Sequence, residues 1–207
     1  MRRLTLALAV LLLAGCSDPE KERLRETTIP TYDKTTGKLV ELTFDSNKDG
    51  RIDTWTTMDG ARPVLTRMDR DGDGQIDRWE HYGPDGKLVK VGFSRKNDGQ
   101  ADAWAFEGPD GLIERIEISS IADEKRIDRW EFYDAAGLVR AEDDTSGDGL
   151  VDKWETYENG AVKTAAFDEN ADGKPDRRFT YEDGRLVLIE TDPDVTGRYT
   201  KRIVPQM

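Results

Sequence analysis

The sequence repeats one short pattern along most of its length, and this repetition constrains the fold more than any other feature. Tryptophans mark the repeat at nearly equal intervals, and Phe179 continues their series at the same spacing. These tryptophans are Trp55, Trp79, Trp104, Trp130 and Trp154. Each copy joins a tyrosine, a glycine-containing turn, an apolar stretch and an acidic loop that leads to the next tryptophan. About seven copies lie between Tyr32 and Arg202. Such short units bury apolar surface mainly against their neighbours.

Each copy predicts a β-hairpin. The dipeptides at 159–160 (Asn-Gly) and 183–184 (Asp-Gly) are strong hairpin-turn signals, because glycine and asparagine tolerate positive φ. The segment after a turn alternates in polarity, so Val89, Val91 and Phe93 share one face of a strand. The sequence therefore predicts an all-β fold of tandem hairpin repeats. We expect an elongated, twisted antiparallel meander, solenoid-like, with the acidic loops between the hairpins.

The acidic loops carry the chemistry. Residues 69–80 resemble the twelve-residue EF-hand calcium loop at every diagnostic position, and residues 144–155 fit nearly as well. Calcium takes six to eight oxygen ligands, and alternate side chains converge on one point because a sixth-position glycine permits a sharp turn. In the first loop the predicted ligands are Asp69, Asp71, Asp73, Gln75 (through its backbone carbonyl), Asp77 and Glu80. In the second they are Asp144, Ser146, Asp148, Leu150 (also through its carbonyl), Asp152 and Glu155.

Two further loops keep the ligand pattern up to the ninth position, and end in Thr56 and Phe179 where a glutamate would close the shell. Their predicted ligands are Asp45, Asn47, Asp49, Arg51 and Asp53 in one loop, and Asp168, Asn170, Asp172, Lys174 and Asp176 in the other. Arg51 and Lys174 stand at the seventh position and would bind through the backbone carbonyl. The copy at 94–99 places Lys96 at a ligand position, and residues 120–131 have Lys125 in place of the glycine. Both are predicted not to bind. Residues 192–197 match only in part.

These loops are not flanked by helices. The segment between Glu80 and Ser94 is too short for two helices, and it includes the turn at 83–86. On a strand, Asp77 and Trp79 share a face and Glu80 points to the other. The last glutamate of each strong loop is therefore predicted either to coordinate or to be a strand surface residue.

The hairpin half of the copy resembles the YD repeats of bacterial Rhs-type proteins. Tyr-Asp pairs at 32–33 and 133–134, and the Gly-x-Leu-Val strings beginning at Gly37 and Gly86, carry this resemblance. It implies short paired strands around a glycine turn. It does not imply toxin delivery, because nothing in the sequence resembles a toxin cargo.

The N-terminus predicts export. A cationic start, residues 1–3, precedes a largely apolar run at 4–13 that is too short to span a bilayer. The sequence Leu-Ala-Gly-Cys at 13–16 resembles the lipobox of bacterial lipoproteins, which implies cleavage before Cys16 and its lipidation. The alternative is an ordinary signal peptide with a chance cysteine. The predicted organisation is a signal peptide at 1–15, an acylated charged tether at 16–30 and a repeat domain at 31–207.

The lipid anchor predicts membrane attachment in the cell envelope. Ser17 follows the cysteine where an aspartate would favour inner-membrane retention, so the outer membrane is favoured over the inner. The formal charge of −12 argues against nucleic acid as a partner.

The composition narrows the function classes. His81 is the only histidine in the sequence, which excludes a histidine-dependent triad or a multi-histidine metal site. The compelling carboxylate pairs all belong to acidic loops. These observations predict a non-enzymatic protein in which calcium stabilises a structural or interaction module with a protein or glycan partner. The alternative is a glycan- or cell-wall-binding module in which the tryptophans form an exposed row; otherwise they form a packed row along the sheet.

Overall fold

A computed structural model describes residues 27–206, which form one antiparallel sheet of 15 strands. The order of the strands in the sheet is their order in the sequence, so the predicted all-β hairpin meander is confirmed. The strands are β1 Thr28–Tyr32, β2 Leu39–Phe44, β3 Thr54–Asp59, β4 Arg62–Met68, β5 Arg78–Tyr82, β6 Leu88–Phe93, β7 Ala103–Glu107, β8 Ile113–Ile118, β9 Arg129–Asp134, β10 Gly137–Asp143, β11 Lys153–Glu158, β12 Ala161–Phe167, β13 Arg177–Glu182, β14 Arg185–Pro193 and β15 Tyr199–Ile203.

The hairpin turns form where the turn residues predicted them. Asn159 and Gly160, between β11 and β12, have φ values of 53° and 77°. Asp183 and Gly184, between β13 and β14, have φ values of 50° and 74°. Two successive residues with positive φ give a turn whose twist matches that of the paired strands. A shift in register next to each of these turns adds to the local twist.

The two kinds of connection lie at opposite ends of the strands. Short turns join each odd-numbered strand to the next even-numbered strand, and the acidic loops join each even-numbered strand to the next odd-numbered one. Because neighbouring strands are antiparallel, every acidic loop lies at the same end of the strands. We call this side of the sheet the loop margin, and the side where the short turns lie the turn margin.

The two faces of the sheet differ in composition. Directly opposed residues share a face, and one row of pairs alternates tryptophans with Arg67, Gly92, Glu117 and Glu142 along nine strands. We call this side the tryptophan face. The adjacent row, which includes Glu80, Val91 and Ala105, points to the opposite side, which we call the glutamate face.

The apolar core is small and lies in the middle of the sheet. Seven apolar residues are buried among the described residues, and five of them lie between β6 and β8. These five are Val91, Ala103, Trp104, Ala105 and Ile118. A single sheet has two faces, and few apolar side chains are present to bury them. The backbone ladder, cross-strand pairs and loops must therefore contribute much of the stability.

The predicted signal peptide at 1–15, Cys16 and most of the predicted tether at 16–30 lie outside the described residues. The sheet begins at Thr28, so residues 28–30 belong to β1. Within residues 27–206 there is no helix with the length and apolarity needed to cross a membrane.

Candidate metal centre

The acidic loops are connected to one another by backbone hydrogen bonds along the loop margin. The N–H that begins one loop donates to the carbonyl of the ninth-position aspartate of the loop before it: Asp69 to Asp53 at 2.8 Å, and Ser94 to Asp77 at 3.0 Å. The same bond joins Asp168 to Asp152 at 2.9 Å. The first and ninth positions of successive loops therefore form one row across the sheet, and the fold sets their spacing.

The loop at 69–77 gathers three carboxylates. One oxygen each of Asp69, Asp71 and Asp77 lies within 4.8 Å of the others, and this cluster can hold a metal ion. Oxygens on opposite sides of a bound calcium are about 4.6–5.2 Å apart, so this spacing suits such an ion. Within the described part of the chain, it is the only group of at least three Asp, Glu, His or Cys side chains whose ligand atoms lie this close together.

Backbone N–H groups hold this loop in shape. Gly72 N–H donates to Asp69 Oδ1 and Gly74 N–H to Asp69 Oδ2, both at 2.8 Å. Gly74 has a φ of 93°, which favours glycine, and this accounts for the sixth-position glycine. Asp69 is only 9% exposed. An ionised carboxylate offers about four acceptor positions, so the two N–H bonds leave Asp69 able to bind a cation.

Asp77 differs from the ninth-position aspartates of the other predicted loops. Within residues 27–206, its carboxylate accepts a single hydrogen bond, from Arg70 N–H to Oδ2 at 2.7 Å. Its second oxygen is left for the cluster. The second residue of this loop is Arg70, whose side chain has no hydroxyl that could donate to Asp77.

The loop at 144–152 has the same backbone scaffold but a differently occupied ninth position. Gly147 and Gly149 N–H groups donate to Asp144 at 2.7 and 2.8 Å. Asp152, however, accepts the Thr145 hydroxyl at 2.7 Å in addition to bonds from the Thr145 and Ser146 N–H groups. Both Asp152 oxygens are engaged. The third position of this loop is Ser146, so its first, third and ninth positions supply two carboxylates where those of residues 69–77 supply three.

The two weaker loops follow the second pattern. Asp53 accepts the Ser46 hydroxyl at 2.6 Å and the Thr54 hydroxyl at 2.8 Å, one on each oxygen. Asp176 accepts the Asn170 amide at 2.8 Å on one oxygen and the Glu169 N–H at 2.7 Å on the other. Each of these carboxylates accepts three hydrogen bonds, against one at Asp77, so fewer acceptor positions are left for a cation.

The hydrogen bonds also affect the acidity of two ninth-position aspartates. Burial raises the pKa of Asp152, but the bonds from Thr145 and Ser146 outweigh it, and the pKa lies below its ordinary value. Burial likewise raises the pKa of Asp53, and bonds from Ser46 and Thr54 outweigh it. At pH values above the ordinary aspartate pKa, the ionised carboxylates therefore stabilise the fold. This contribution is lost as the pH falls through the lowered values.

The other predicted ligands take varied positions. Asp73 lies outside the three-carboxylate cluster, and Asp73, Asp148, Asp49 and Asp172 each accept the N–H of the seventh-position residue, namely Gln75, Leu150, Arg51 and Lys174, at 2.8 to 2.9 Å. Asn47 and Asn170 each accept the N–H two residues ahead through their side-chain oxygen. Ser146 accepts a longer bond from Asp148 N–H at 3.4 Å.

The structure places Glu80 and Glu155 on the glutamate face of their strands. Glu80 accepts Arg78 Nε at 2.9 Å and the Tyr82 hydroxyl at 2.6 Å, and it is not a member of the three-carboxylate cluster. Glu155 accepts the Tyr157 hydroxyl at 2.8 Å and forms an ion pair with Lys153. Side chains alternate between the two faces of a strand, so the twelfth residue of each loop points to the face opposite that of the ninth residue.

The loops predicted not to bind have other contacts. Lys96 leaves its own loop and donates to Ser120 O in the next loop at 2.8 Å. The loop after β8 begins at Ser119, one residue before the register predicted from sequence, because Ser119 N–H bonds to Asp102 O at 3.0 Å. Asp102 is 1% exposed, and its Oδ1 accepts Arg95 N–H at 2.8 Å. The turn at 194–198 is closed by Gly197 N–H on Asp194 O.

The tryptophans form a regular row on the tryptophan face. Successive members are separated by one strand, which is about 9.5 Å. The ring of Trp104 lies over Gly92, where a Cβ atom would come within 3.3 Å of it, and Trp104 is 4% exposed. The other four are half-buried. This burial favours the packed row over an exposed row for stacking on a glycan.

No protein-family model matches the chain, and the search of curated proteins gives no match. Among solved structures, the chain is similar to a TarM mutant from S. aureus crystallised with fondaparinux, α-GlcNAc-glycerol and UDP, at 14% identity and a TM-score of 0.37 over 51% of this chain. It is also similar to accessory secretory protein 1, 2 and 3 of Streptococcus pneumoniae, at 14% identity and a TM-score of 0.22 over 72% of this chain. A second TarM structure gives 13% identity and a TM-score of 0.20 over 70% of this chain. The chain spans about a fifth of the length of these proteins, with 22%, 20% and 22% of each covered.

The matches bear on one prediction. The sequence predicted a non-enzymatic protein, and the similarity to the glycosyltransferase TarM contradicts that prediction, which is therefore withdrawn. At TM-scores of 0.37 and 0.20, these matches assign no reaction to the chain.

Proposed function

We propose that this chain is a calcium-binding, lipid-anchored protein of the cell envelope in which calcium stabilises a β-repeat module. The observation that carries the proposal is the approach of Asp69, Asp71 and Asp77 oxygens to within 4.8 Å inside a loop of the EF-hand pattern. The module serves as a structural or interaction element.

The chemistry of the donors favours calcium. The cluster consists of carboxylate oxygens alone, with no sulfur or imidazole, and such hard ligands suit calcium, magnesium or manganese over zinc or copper. Magnesium demands near-ideal octahedral geometry, whereas calcium accepts the irregular shells that loops provide. Exported proteins meet abundant calcium, so the expected dissociation constant is about 10⁻⁴–10⁻³ M, the range of extracellular modules.

Calcium would stabilise the sheet by offsetting repulsion among the clustered aspartates. The backbone ladder of the loop margin joins each acidic loop to the next, so an ion in one loop also fixes the start of the following hairpin. Because the unfolded chain lacks the assembled site, binding free energy adds to folding stability.

Thermal unfolding in calcium and in chelator tests this proposal. At 10 mM calcium, the expected affinity gives about 1.4–2.7 kcal/mol of stabilisation per occupied site, and we expect the melting temperature to rise by several degrees. Magnesium at the same concentration is the control and should give a smaller shift. Identical melting temperatures in calcium and in chelator would contradict the proposal.

The lipid anchor is proposed from the lipobox-like residues 13–16. Expression of the full chain with radiolabelled palmitate should label the protein, and Cys16→Ala should abolish both the label and membrane association. Equal labelling of this variant and the wild type would contradict lipidation at Cys16.

A further inference from the structure

One side chain of the loop at 94–102 reaches into the neighbouring acidic loop. Asn97 Nδ2 donates to Asp73 Oδ2 at 2.8 Å and to Asp71 Oδ2 at 3.1 Å. Asn97 is 24 residues away from one aspartate and 26 from the other in the sequence, so the contact comes from the next repeat. A single amide group thus bridges two carboxylates of the 69–77 loop.

The contact between the loops is reciprocal and close. Gln75 Nε2 donates to the backbone carbonyl of Asn97 at 3.2 Å. A Cβ atom at Gly99 would lie 3.4 Å from the Gln75 Oε1 atom, so the two loops are in van der Waals contact there. Asn97 has a φ of 51°, a left-handed conformation that asparagine adopts more readily than most residues. The backbone of the 94–102 loop therefore directs this amide at its neighbour.

The amide has a clear electrostatic role. Asp71 and Asp73 carry like charges and repel each other when no cation is bound. A neutral donor shared between them offsets part of that repulsion, and each carboxylate retains further acceptor positions. Outer-sphere donors of this kind hold ligands in the orientation that a metal requires.

We infer that Asn97 is a positioning residue of the 69–77 cation site, supplied by the neighbouring repeat. This inference rests on the proposed function and extends it. The site is shared between two repeats, and a loop that lacks the calcium pattern contributes to the site beside it. Lys96, the residue that breaks the pattern, points away to Ser120 O and leaves the approach of Asn97 to the aspartates open.

The test replaces Asn97 by glycine, which removes the amide and suits the positive φ. Asn159→Gly is the matched control, because Asn159 has nearly the same φ, 53°, and lies in a turn at the turn margin. Calcium is titrated into the full chain and followed at individual backbone amides by NMR. Gly72 and Gly74 report on the 69–77 loop, and Gly147 and Gly149 report on the 144–152 loop in the same molecule.

We expect Asn97→Gly to weaken calcium binding at Gly72 and Gly74 about tenfold, with Gly147 and Gly149 unchanged and Asn159→Gly without effect at either loop. A wild-type midpoint at Gly72 and Gly74 in the Asn97→Gly variant would overturn the inference while leaving the proposed function intact. Equal weakening at both loops would also overturn it, because it would indicate a general loss of stability. A wild-type chain whose Gly72 and Gly74 amides do not respond to calcium would overturn both proposals.

Discussion

The second and third residues of an acidic loop set how many acceptor positions of the ninth-position aspartate remain for a cation. Where that residue is Arg70, only its N–H reaches Asp77, and the carboxylate joins the three-residue cluster. Where it is Thr145, the hydroxyl occupies an oxygen of Asp152 as well. The two loops thus differ in the hydrogen bonds at the ninth position, besides having Asp71 in one loop and Ser146 in the other at the third position.

Removing the competing hydroxyl should improve the 144–152 loop. Thr145→Val keeps the side-chain shape and frees an oxygen of Asp152, so we expect calcium to bind there about threefold to tenfold more tightly. The Gly147 and Gly149 amides provide the measurement. Thr156→Val is the control, since this hydroxyl bonds to Thr164 within the sheet. An unchanged or lower affinity in Thr145→Val would show that the hydroxyl does not compete with the cation.

Glu80 and Asp77 should respond differently to loss of charge. Glu80→Gln weakens the bonds to Arg78 and Tyr82, so we expect a lower melting temperature and unchanged calcium affinity at the 69–77 loop. Asp77→Asn removes a proposed ligand charge and should weaken binding there by about tenfold or more. If Glu80→Gln weakened calcium binding as much as Asp77→Asn, Glu80 would be a ligand.

At the scale of the element, three hairpins begin with the same cation–glutamate–tyrosine arrangement. In β9, Arg129 Nε donates to Glu131 at 2.8 Å and the Tyr133 hydroxyl donates to the same glutamate at 2.7 Å. Related triads occur in β5 (Arg78, Glu80, Tyr82) and β11 (Lys153, Glu155, Tyr157). Each triad follows one strand along the glutamate face. These hydrogen bonds to the glutamates thus lie within the hairpin.

The triads make the sheet sensitive to alkali. Burial and the bond to Glu131 raise the pKa of Tyr133 to about 12 from an ordinary value of 10.0. A raised pKa stabilises the fold below the unfolded value, and this contribution is lost as the pH rises from about 10 to about 12. We expect Tyr133→Phe to lose less stability than the wild type over this range, as measured by urea unfolding at several pH values. Parallel losses in the two proteins would contradict the prediction.

At the scale of the whole molecule, the middle of the sheet is held by side chains and the flanks by the acidic loops. The buried apolar residues concentrate in β6–β8. The Lys96 bond to Ser120 O joins the two loops there, and an ion pair between Lys90 and Glu124 joins β6 to the second of these loops. The predicted calcium loops lie on both sides of this middle region.

Chelation should therefore act unevenly. We expect hydrogen exchange to accelerate in β3–β5 and β11–β13 when calcium is removed, while the amides of β7 and β8 keep their protection. Exchange measured by mass spectrometry in calcium and in chelator checks this, with the calcium-bound protein as its own reference. Uniform acceleration across the described strands would show that the sheet responds as one cooperative unit.

The sequence predicted the hairpins, the meander and the loop spacing because these depend on local signals: the period, the positive-φ turns and the alternation of polarity. It left the position of Glu80 open, because two predictors disagreed, the loop pattern and strand alternation. Asn97 could not be predicted, since its partners lie in another repeat and are set by strand register. The hydrogen bond from the Thr145 hydroxyl to Asp152 was not predicted, because Thr145 lies between two ligand positions. The hydroxyl at that position is nevertheless visible in the sequence.

The most direct test of the central claim is the amount of calcium that the chain binds, measured by equilibrium dialysis with radioactive calcium at millimolar concentrations. We predict saturable binding that falls by one ion per chain when Asp69, Asp71 and Asp77 are all replaced by asparagine. The charge-matched control replaces Asp59, Asp85 and Asp134 at the turn margin in the same way and should bind as the wild type does. The absence of saturable binding, or an equal loss in both triple variants, would contradict the account.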